Sequence, residues 1–359
     1  MTRPTGPDTP HLEWTALPED FEPYTFAAAT DVVLVGGLDK RGAEPEPAVF
    51  ELRIANDRAE RVDYWQLPDE LPGSTRAGET WRTAGPANVS AAAIDGRVLT
   101  TVMIRLSHDF AGSIGGWYHP METDAWEYVA SPSPDSDIDV SARMGIGRDV
   151  LTASESGEGE IFVVTRSDRA EDVKWPNYRT TRSFWRPSVV QVPDGLSTDD
   201  DAGPVDVSES GRWVALRVSN DPRMRDGVMV FERTGETWRV ADRIDYPGYR
   251  VSSVAVTDRW IVILERNGQD SRLRWRKVGG GADDFIELEI PSVGLHVLGD
   301  RALITQGTRS LVFDLTTGHL THNIQGQRPP GNYTLGGGRL AGDHAVFVTD
   351  DEVGVARLP

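Results

Sequence analysis

Residues 205–218 read VDVSESGRWVALRV, and the same arrangement recurs along the chain. A short run of small or apolar residues is followed by a tight polar turn and then by a run of β-forming residues, which is typical of two antiparallel strands. Because a two-strand unit cannot bury both of its faces alone, repeated copies must stack on one another. The other copies begin at Phe26, Ser90, Ala142, Ser253, Leu295 and Gly338.

The spacing of these copies predicts the architecture. Their polar turns lie about 50 residues apart, which is the length of one four-stranded propeller blade. A second pair of β-rich runs follows the turn, most clearly in residues 227–244, 271–290 and 310–324. We therefore expect an all-β fold, a seven-bladed β-propeller of four-stranded antiparallel blades. The residues that anchor the seven turns are Asp31, Gly96, Arg148, Gly211, Asp258, Asp300 and Asp343.

The two ends of the chain predict how the ring closes. The last repeat stops at Pro359, before its outer strand, whereas the run HLEWTALP (residues 11–18) precedes the first repeat and belongs to no earlier blade. We expect this N-terminal run to pair with the C-terminal blade, since closure removes exposed strand edges. The prediction is a flexible lead over residues 1–10 and one propeller domain over residues 11–359.

Small side chains recur at one place in the repeat. They are found at Ala27–Ala29, Ala91–Ala93, Ser252–Ser253 and Gly336–Gly338. Ala and Gly are poor strand formers, so their repeated use indicates a steric demand such as the crowding of inner strands around a propeller axis. The alternative is that they are ordinary loop residues.

Composition and charge exclude several classes of function. The net charge of −19 and the pI near 4.8 argue against nucleic acid as a partner, which requires a concentrated basic surface. The mean hydropathy is −0.39, and no stretch approaches the roughly 20 apolar residues of a membrane span. The absence of cysteine excludes disulfides and thiolate chemistry. The first ten residues lack an apolar signal-peptide core, so we expect a cytoplasmic protein, and a monomer.

Propeller geometry directs the search for a site to one face. The connections from the second to the third strand, and from one blade to the next, surround the mouth of the axial channel. The residues expected there are more cationic than the chain as a whole, which favours an anionic small molecule or an acidic protein segment as ligand. The predicted ligand-binding residues are Arg41, Asn88, Asp109, Trp185, Arg186, Arg223, Arg225, Arg250 and Arg309, and the candidate catalytic residues are His108, Tyr24 and Tyr249.

The segment from Lys174 to Pro187 is exceptional in this acidic chain. It holds four cationic and four aromatic residues and no acid, and we place it in a connection after the third blade. Arginine beside aromatic rings is suited to an anionic or planar ligand. The alternative is that the aromatic side chains pack against the blade edge while the arginines remain solvated.

No metal or cofactor is expected. The histidines show no spacing typical of metal ligands. The acidic run at residues 135–139 lacks the turn glycine and the bidentate acid of a calcium loop, and residues 199–201 have the character of a solvated acidic loop. The glycine-rich stretches lack the Lys-Ser/Thr of a phosphate loop.

One repeat resembles a known family. Residues 227–244 followed by residues 251–263 are similar to the FG-GAP type of propeller repeat of integrin-like proteins, and the blades are loosely similar to kelch repeats. Arg250-Val251 stands where the FG-GAP repeat has Phe-Gly, and the family's Asp-rich calcium hairpin is absent. The resemblance therefore implies a propeller, but neither adhesion nor calcium binding.

Two classes of function remain open from the sequence. The first is an intracellular binding platform whose channel mouth holds a partner protein or an anionic small ligand. The second is a small-molecule enzyme, such as a lyase, hydrolase or cyclase, in which arginine stabilises an enolate or carboxylate while His108 or a tyrosine moves a proton. Propellers host both classes, so the fold alone does not choose between them.

Overall fold

The structure is a computed structural model. It describes residues 9–65, 67, 82–83, 86–107, 113–121, 126–130, 145–154, 160–174, 180–191, 205–220, 225–245, 249–268, 270–288, 294–306, 309–325 and 337–358. Within these ranges the regular elements are strands, and no helix has the length and apolar character needed to cross a membrane.

The strands in chain order are β1 (Leu12–Ala16), β2 (Phe21–Ala29), β3 (Val32–Asp39), β4 (Glu46–Ala55), β5 (Arg58–Tyr64), β6 (Arg82–Thr83), β7 (Asn88–Ile94), β8 (Arg97–Ser107), β9 (Ser113–Pro120), β10 (Glu127–Ala130), β11 (Gly145–Ile146), β12 (Val150–Ser154), β13 (Glu160–Lys174), β14 (Thr180–Gln191), β15 (Val205–Val207), β16 (Trp213–Asn220), β17 (Arg225–Thr234), β18 (Thr237–Asp245), β19 (Arg250–Val256), β20 (Trp260–Asn267), β21 (Asp270–Lys277), β22 (Asp284–Leu288), β23 (Gly294–Leu298), β24 (Arg301–Gln306), β25 (Arg309–Asp314), β26 (His319–Gln325), β27 (Arg339–Ala341), β28 (His344–Val348) and β29 (Glu352–Arg357).

These strands form seven antiparallel sheets, which confirms the predicted seven-bladed propeller. Blade 1 is β2 to β5, blade 2 is β7 to β10 with β6 added along β8, and blades 3 to 6 are β11 to β14, β15 to β18, β19 to β22 and β23 to β26. Blade 7 is β27, β28, β29 and β1. The first strands of successive blades contact one another around a closed circle, from β2 through β27 and back to β2.

The ring is closed by the two ends of the chain, as the sequence predicts. Strand β1 pairs with β29 from Leu12 opposite Ala356 to Ala16 opposite Glu352. The Trp14 ring lies on Gly354, where an added Cβ would approach it to 2.7 Å. Glycine at 354 therefore makes room for the side chain of the closing strand.

Strand β3 illustrates how the core is built. Val32 and Leu34 belong to the cluster shared with blade 2, whereas Val33 and Val35 belong to the cluster shared with blade 7. All four are at most 1% exposed. A strand buried on both faces needs a continuous apolar run rather than an alternating one, which is what residues 32–35 supply.

All seven anchor residues lie in the turns between the first and second strands of their blades. These turns define one face of the ring, the turn face, and the opposite face is the mouth face predicted above. Several acidic groups on the turn face join one blade to the next. The pairs are Arg148 with Asp95, Arg233 with Asp149, Arg259 with Asp300, Arg301 with Asp343, and His344 with Asp57.

Asp300 is the strongest of these connectors. It accepts two hydrogen bonds of 2.8 Å from Arg259 Nη1 and one of 2.6 Å from the indole Nε1 of the buried Trp260. We expect Asp300→Ala to lower the free energy of unfolding by about 1–2 kcal/mol, because a buried indole donor loses its acceptor. Chemical denaturation in urea measures this loss. The matched control is Asp343→Ala, whose carboxylate is 80% exposed and meets Arg301 only at 3.5 Å; equal losses for the two variants would contradict the assignment.

A second set of contacts satisfies backbone groups of the inner strands, whose channel-facing edges have no strand partner in the described part of the chain. Side chains of three blades each accept the backbone N–H of the inner strand in the next blade. Thr25 accepts from Val89 at 3.0 Å, Asp206 accepts from Val256 at 2.9 Å, and His296 Nδ1 accepts from Leu340 at 3.0 Å. These bonds lock neighbouring blades together around the channel.

Candidate functional site

Two of the predicted site residues lie together at the mouth end of blade 5. Tyr249 immediately precedes β19, and Arg250 is the first residue of that strand. Arg250 is directly opposite Arg266 of β20, and both side chains are exposed. Directly opposed residues of an antiparallel pair have Cα atoms about 4.5–5.5 Å apart. Blade 5 therefore presents two exposed arginines at opposed positions, which we call the arginine pair. Arg266 Nε donates to the carbonyl of Gly268 at 2.9 Å.

A β-bulge lies beside the arginine pair. The register of β19 with β20 passes from Val251 to Ser253, and the Ser252 hydroxyl donates to the carbonyl of Leu264 at 3.0 Å. The inner strand of blade 1 has a bulge in the same region, at Tyr24. A bulge bends a strand and changes the direction of its side chains. Ser252 and Tyr24 are therefore oriented differently from residues of a regular strand.

The ring of Tyr249 packs against a third arginine. The guanidinium carbon of Arg272 lies 3.7 Å from the centre of the Tyr249 ring and 5.6 Å from the centre of the Phe285 ring. Phe285 is 53% exposed on the outer strand β22. Arg272 is thus sandwiched between two aromatic rings, and such cation–π contacts restrict where both the ring and the cation lie.

Arg272 also belongs to a row of alternating charges, which we call the charge ladder. Glu265 is fully buried and pairs with Arg272 and, at 2.8 Å, with Arg274. The ladder continues from Arg274 to Asp283 at 2.9 Å, and then through Arg276 to Asp242 of blade 4 at 2.7 Å. Its positive and negative charges are matched within the row, and through Arg272 it supports the Tyr249 ring.

The predicted site residue of blade 1, Tyr24, lies among compensated charges. Its hydroxyl donates to Glu22 at 3.3 Å, and Lys40 forms an ion pair with the same carboxylate at 2.5 Å. The hydrogen bond from Lys40 is the main reason why the pKa of Glu22 is lowered. Desolvation, followed by the charge of Glu22, raises the pKa of Tyr24. The tyrosine is therefore less able to act as a base at neutral pH.

Arg41 is compensated in the same way. Its Nε donates to both oxygens of Asp39 at 3.0 and 2.9 Å, and its guanidinium lies 4.1 Å from the centre of the Tyr64 ring. The hydrogen bond from Arg41 lowers the pKa of Asp39. The expected surplus of positive charge at the blade 1 rim is thus not found, because Glu22 of β2 pairs with Lys40 and Asp39 of β3 pairs with Arg41.

The placement of Trp185 and Arg186 at the mouth is corrected by the structure. Both lie in β14, near the turn face, because the β13–β14 hairpin continues past β12 there. Trp185 is fully buried and donates from Nε1 to Glu127 of blade 2 at 3.0 Å. Arg186 pairs with Glu171 at 2.7 Å. Both described aromatic residues of the 174–187 segment pack against the neighbouring blade, as the alternative interpretation has it.

Three further predicted residues begin strands that start at the mouth face. Asn88 begins β7, Arg309 begins β25 and Arg225 begins β17; the first two are partly buried. The predicted residues His108, Asp109 and Arg223 lie outside the described residues.

The candidate catalytic tyrosines are not brought together. Tyr24 belongs to blade 1 and Tyr249 to blade 5, which are not neighbours in the ring. In the part of the chain that the structure describes, no three acidic or histidine side chains are grouped closely enough to hold a metal ion.

Three residues of this surface were not predicted from the sequence: Arg266, Arg272 and Phe285. The alternation RLRWR at residues 272–276 was available as a signal, since it places three arginines on one face of a strand. Arg266 had no comparable signal, because its position opposite Arg250 depends on the register of β19 with β20.

Comparisons with known proteins agree on the fold. No protein-family model and no curated protein sequence matches the chain, so the resemblance to FG-GAP and kelch repeats gains no support. A chain in the crystal structure of the mitotic checkpoint complex is 12% identical, with a TM-score of 0.54 over 100% of this chain and 97% of that one. The Dos1 propeller is 8% identical, with a TM-score of 0.51 over 97% and 95%.

A third similar structure is YCF48 bound to D1 peptide, which is 10% identical with a TM-score of 0.50 over 98% of each chain. At such identities the likeness concerns the fold alone. It places this chain in the structural class of seven-bladed β-propellers.

Proposed function

We propose that this protein is a binding platform that holds an acidic segment of a partner protein at the blade 5 rim of the channel mouth. The observation that carries the proposal is the exposed arginine pair, Arg250 and Arg266, at opposed positions of β19 and β20. Both side chains are exposed at the same end of the blade, where a ligand at the rim meets them together. Guanidinium groups bind carboxylates through paired, charge-assisted hydrogen bonds.

The surroundings support a protein segment as the ligand. Tyr249, Arg272 and Phe285 extend the surface of the site from the rim toward the outer strand. Aromatic and arginine side chains are the residue types most enriched where protein interfaces have their strongest contacts. Two solved structures of similar fold are a chain of the mitotic checkpoint complex and YCF48 bound to D1 peptide. This is an analogy of fold, and the site itself carries the argument.

The arginine pair gives the test. We expect an oligoglutamate peptide to bind, and Arg250→Gln with Arg266→Gln to weaken that binding about tenfold, because about 1.4 kcal/mol of charge-assisted bonding is lost. Fluorescence anisotropy with labelled peptide measures the affinity at low and high salt, and the salt dependence should shrink in the variant. The melting temperature should change little, since both side chains are exposed.

The matched control removes two exposed arginines elsewhere, Arg58 and Arg169, and so changes the net charge equally. If Arg58→Gln with Arg169→Gln weakens binding as much as the first variant, the attraction is general rather than located at blade 5. If oligoglutamate binds no better than oligolysine, the proposed acidic specificity is wrong.

A further inference from the structure

The outer strands of the propeller differ in how well their edges are protected. An outer strand presents unpaired N–H and C=O groups along its free side, which form a template for another strand. Bulges, which disrupt such a template, occur in three blades at Val62 of β5, Ala241 of β18 and Thr321 of β26. Strand β10 is contacted by β14 of the next blade, β14 contains Pro187, and β1 is contacted by β5.

Among the residues that the structure describes, strand β22 of blade 5 has none of these features. Its register with β21 is continuous from Asp284 opposite Trp275 to Leu288 opposite Ser271, and its sequence DFIEL contains no proline. Phe285 is the most exposed large apolar residue of the described strands together with Val62, each at 53%. Val62 lies in a bulge, whereas Phe285 lies in a regular edge.

From this comparison we infer that the partner segment binds as an added strand along β22. The inference rests on the proposed function, because it specifies how the same partner reaches the arginine pair. Peptides that add a strand to an open sheet edge gain affinity from main-chain hydrogen bonds and specificity from alternate side chains. The occupant is an extended segment of a partner protein, of which one stretch pairs with β22 and the next stretch is acidic.

The chemistry of β22 defines the pairing stretch. On the face toward blade 4, Phe285 lies beneath the guanidinium groups of Arg272 and Arg274, at 5.6 and 5.8 Å from its ring centre. A partner residue beside Phe285 is therefore aromatic or acidic. The residue opposite Glu287 is neutral or basic, since a carboxylate there would face another carboxylate. On the other face, Ile286 and Leu288 belong to the apolar cluster with blade 6 and favour an aliphatic neighbour.

The distance to the arginine pair fits one continuous segment. Strands in a sheet lie about 4.8 Å apart, so a strand added to β22 is about 14 Å from β20, which carries Arg266. An extended chain covers this distance in about four or five residues. The acidic stretch thus directly adjoins the mouth-face end of the pairing stretch.

The test uses peptides selected from a phage-displayed random library on the full-length protein. Single N-methylation along a selected peptide should abolish binding at every second residue of the pairing stretch, because only alternate N–H groups face β22. Hydrogen exchange should show added protection at residues 284–288. Phe285→Lys should weaken binding at least tenfold. Val240→Lys, at a 45% exposed apolar residue beside the bulge of β18, should leave binding unchanged.

The outcomes separate this inference from the proposed function. If binding depends on the arginine pair but shows neither the period of two nor sensitivity to Phe285→Lys, strand addition is wrong and the acidic site stands. If binding shows the period of two and is weakened by Phe285→Lys but does not depend on the arginine pair, strand addition stands and the acidic site is wrong. A selection that yields no binding peptide rejects strand addition, and it rejects the acidic site as well if oligoglutamate also fails to bind. A dimer of the protein that is lost in Phe285→Lys would make a second copy the occupant and overturn the partner segment.

Discussion

Replacing Glu265 by Gln is expected to lower the free energy of unfolding by about 3–5 kcal/mol, which is the usual cost of breaking a buried ion pair from one side. Glu265 has no exposed surface, and its two oxygens each serve a different arginine, Arg272 and Arg274. Those arginine side chains are only 15% and 16% exposed, so water cannot replace the lost carboxylate. In addition, the side-chain NH2 group of Gln faces one of the arginines, and both groups are hydrogen-bond donors.

Urea unfolding of Glu265→Gln against Glu287→Gln measures this effect. Glu287 lies opposite Arg272 on β22 but is exposed, so its removal should change stability by less than about 0.5 kcal/mol. Replacing Glu265, Arg272 and Arg274 together by Met should be less harmful than Glu265→Gln alone, since no uncompensated charge remains. Equal stability of the two single variants would show that the ladder contributes nothing.

The same substitution should weaken ligand binding. Arg272 holds the Tyr249 ring at 3.7 Å, and its own position depends on Glu265. If Arg272 is released, Tyr249 no longer has a fixed place beside Arg250. The charge ladder therefore links the stability of blade 5 to the geometry of the proposed site.

Much of the fold could be predicted because its causes are local and repeated. A polar turn between two β-forming runs is a short-range signal, and the anchor residues from Asp31 to Asp343 all lie in the expected turns. The unpaired run at residues 11–18 predicted the ring closure, since one blade lacked a strand that only this run could supply.

The site was only partly predictable because it depends on register and on contacts between blades. Tyr249 and Arg250 were placed correctly at the mouth of blade 5, but the opposition of Arg250 to Arg266 follows from strand register. Trp185 was misplaced because a long β13–β14 hairpin reads, in sequence, like a connection rich in cations and rings. Which cations keep exposed charge depends on neighbours such as Asp39, which pairs with Arg41.

The stability of the ring is expected to depend on pH through His296. Burial, followed by the positive charge of Arg339, lowers the pKa of His296 from 6.5 to about 3. Its Nδ1 must remain unprotonated to accept the N–H of Leu340 in blade 7. Between about pH 6.5 and pH 3 the unfolded chain binds this proton and the folded chain does not. The contribution of His296 is therefore complete above about pH 6.5 and is lost as the pH falls through this window.

His296→Asn isolates this effect, because an Asn oxygen can accept the same N–H and does not titrate. Between about pH 7.5 and pH 4.5, the native protein should lose about 2–3 kcal/mol more stability in urea unfolding than the variant. The comparison is needed because carboxylates with lowered pKa, such as Glu22 and Asp39, add their own loss at lower pH in both proteins. His319→Asn, at an exposed position of β26, should keep the native pH dependence. If His296→Asn keeps it too, the bond from the Leu340 N–H does not depend on a neutral imidazole, and blades 6 and 7 are joined by other contacts.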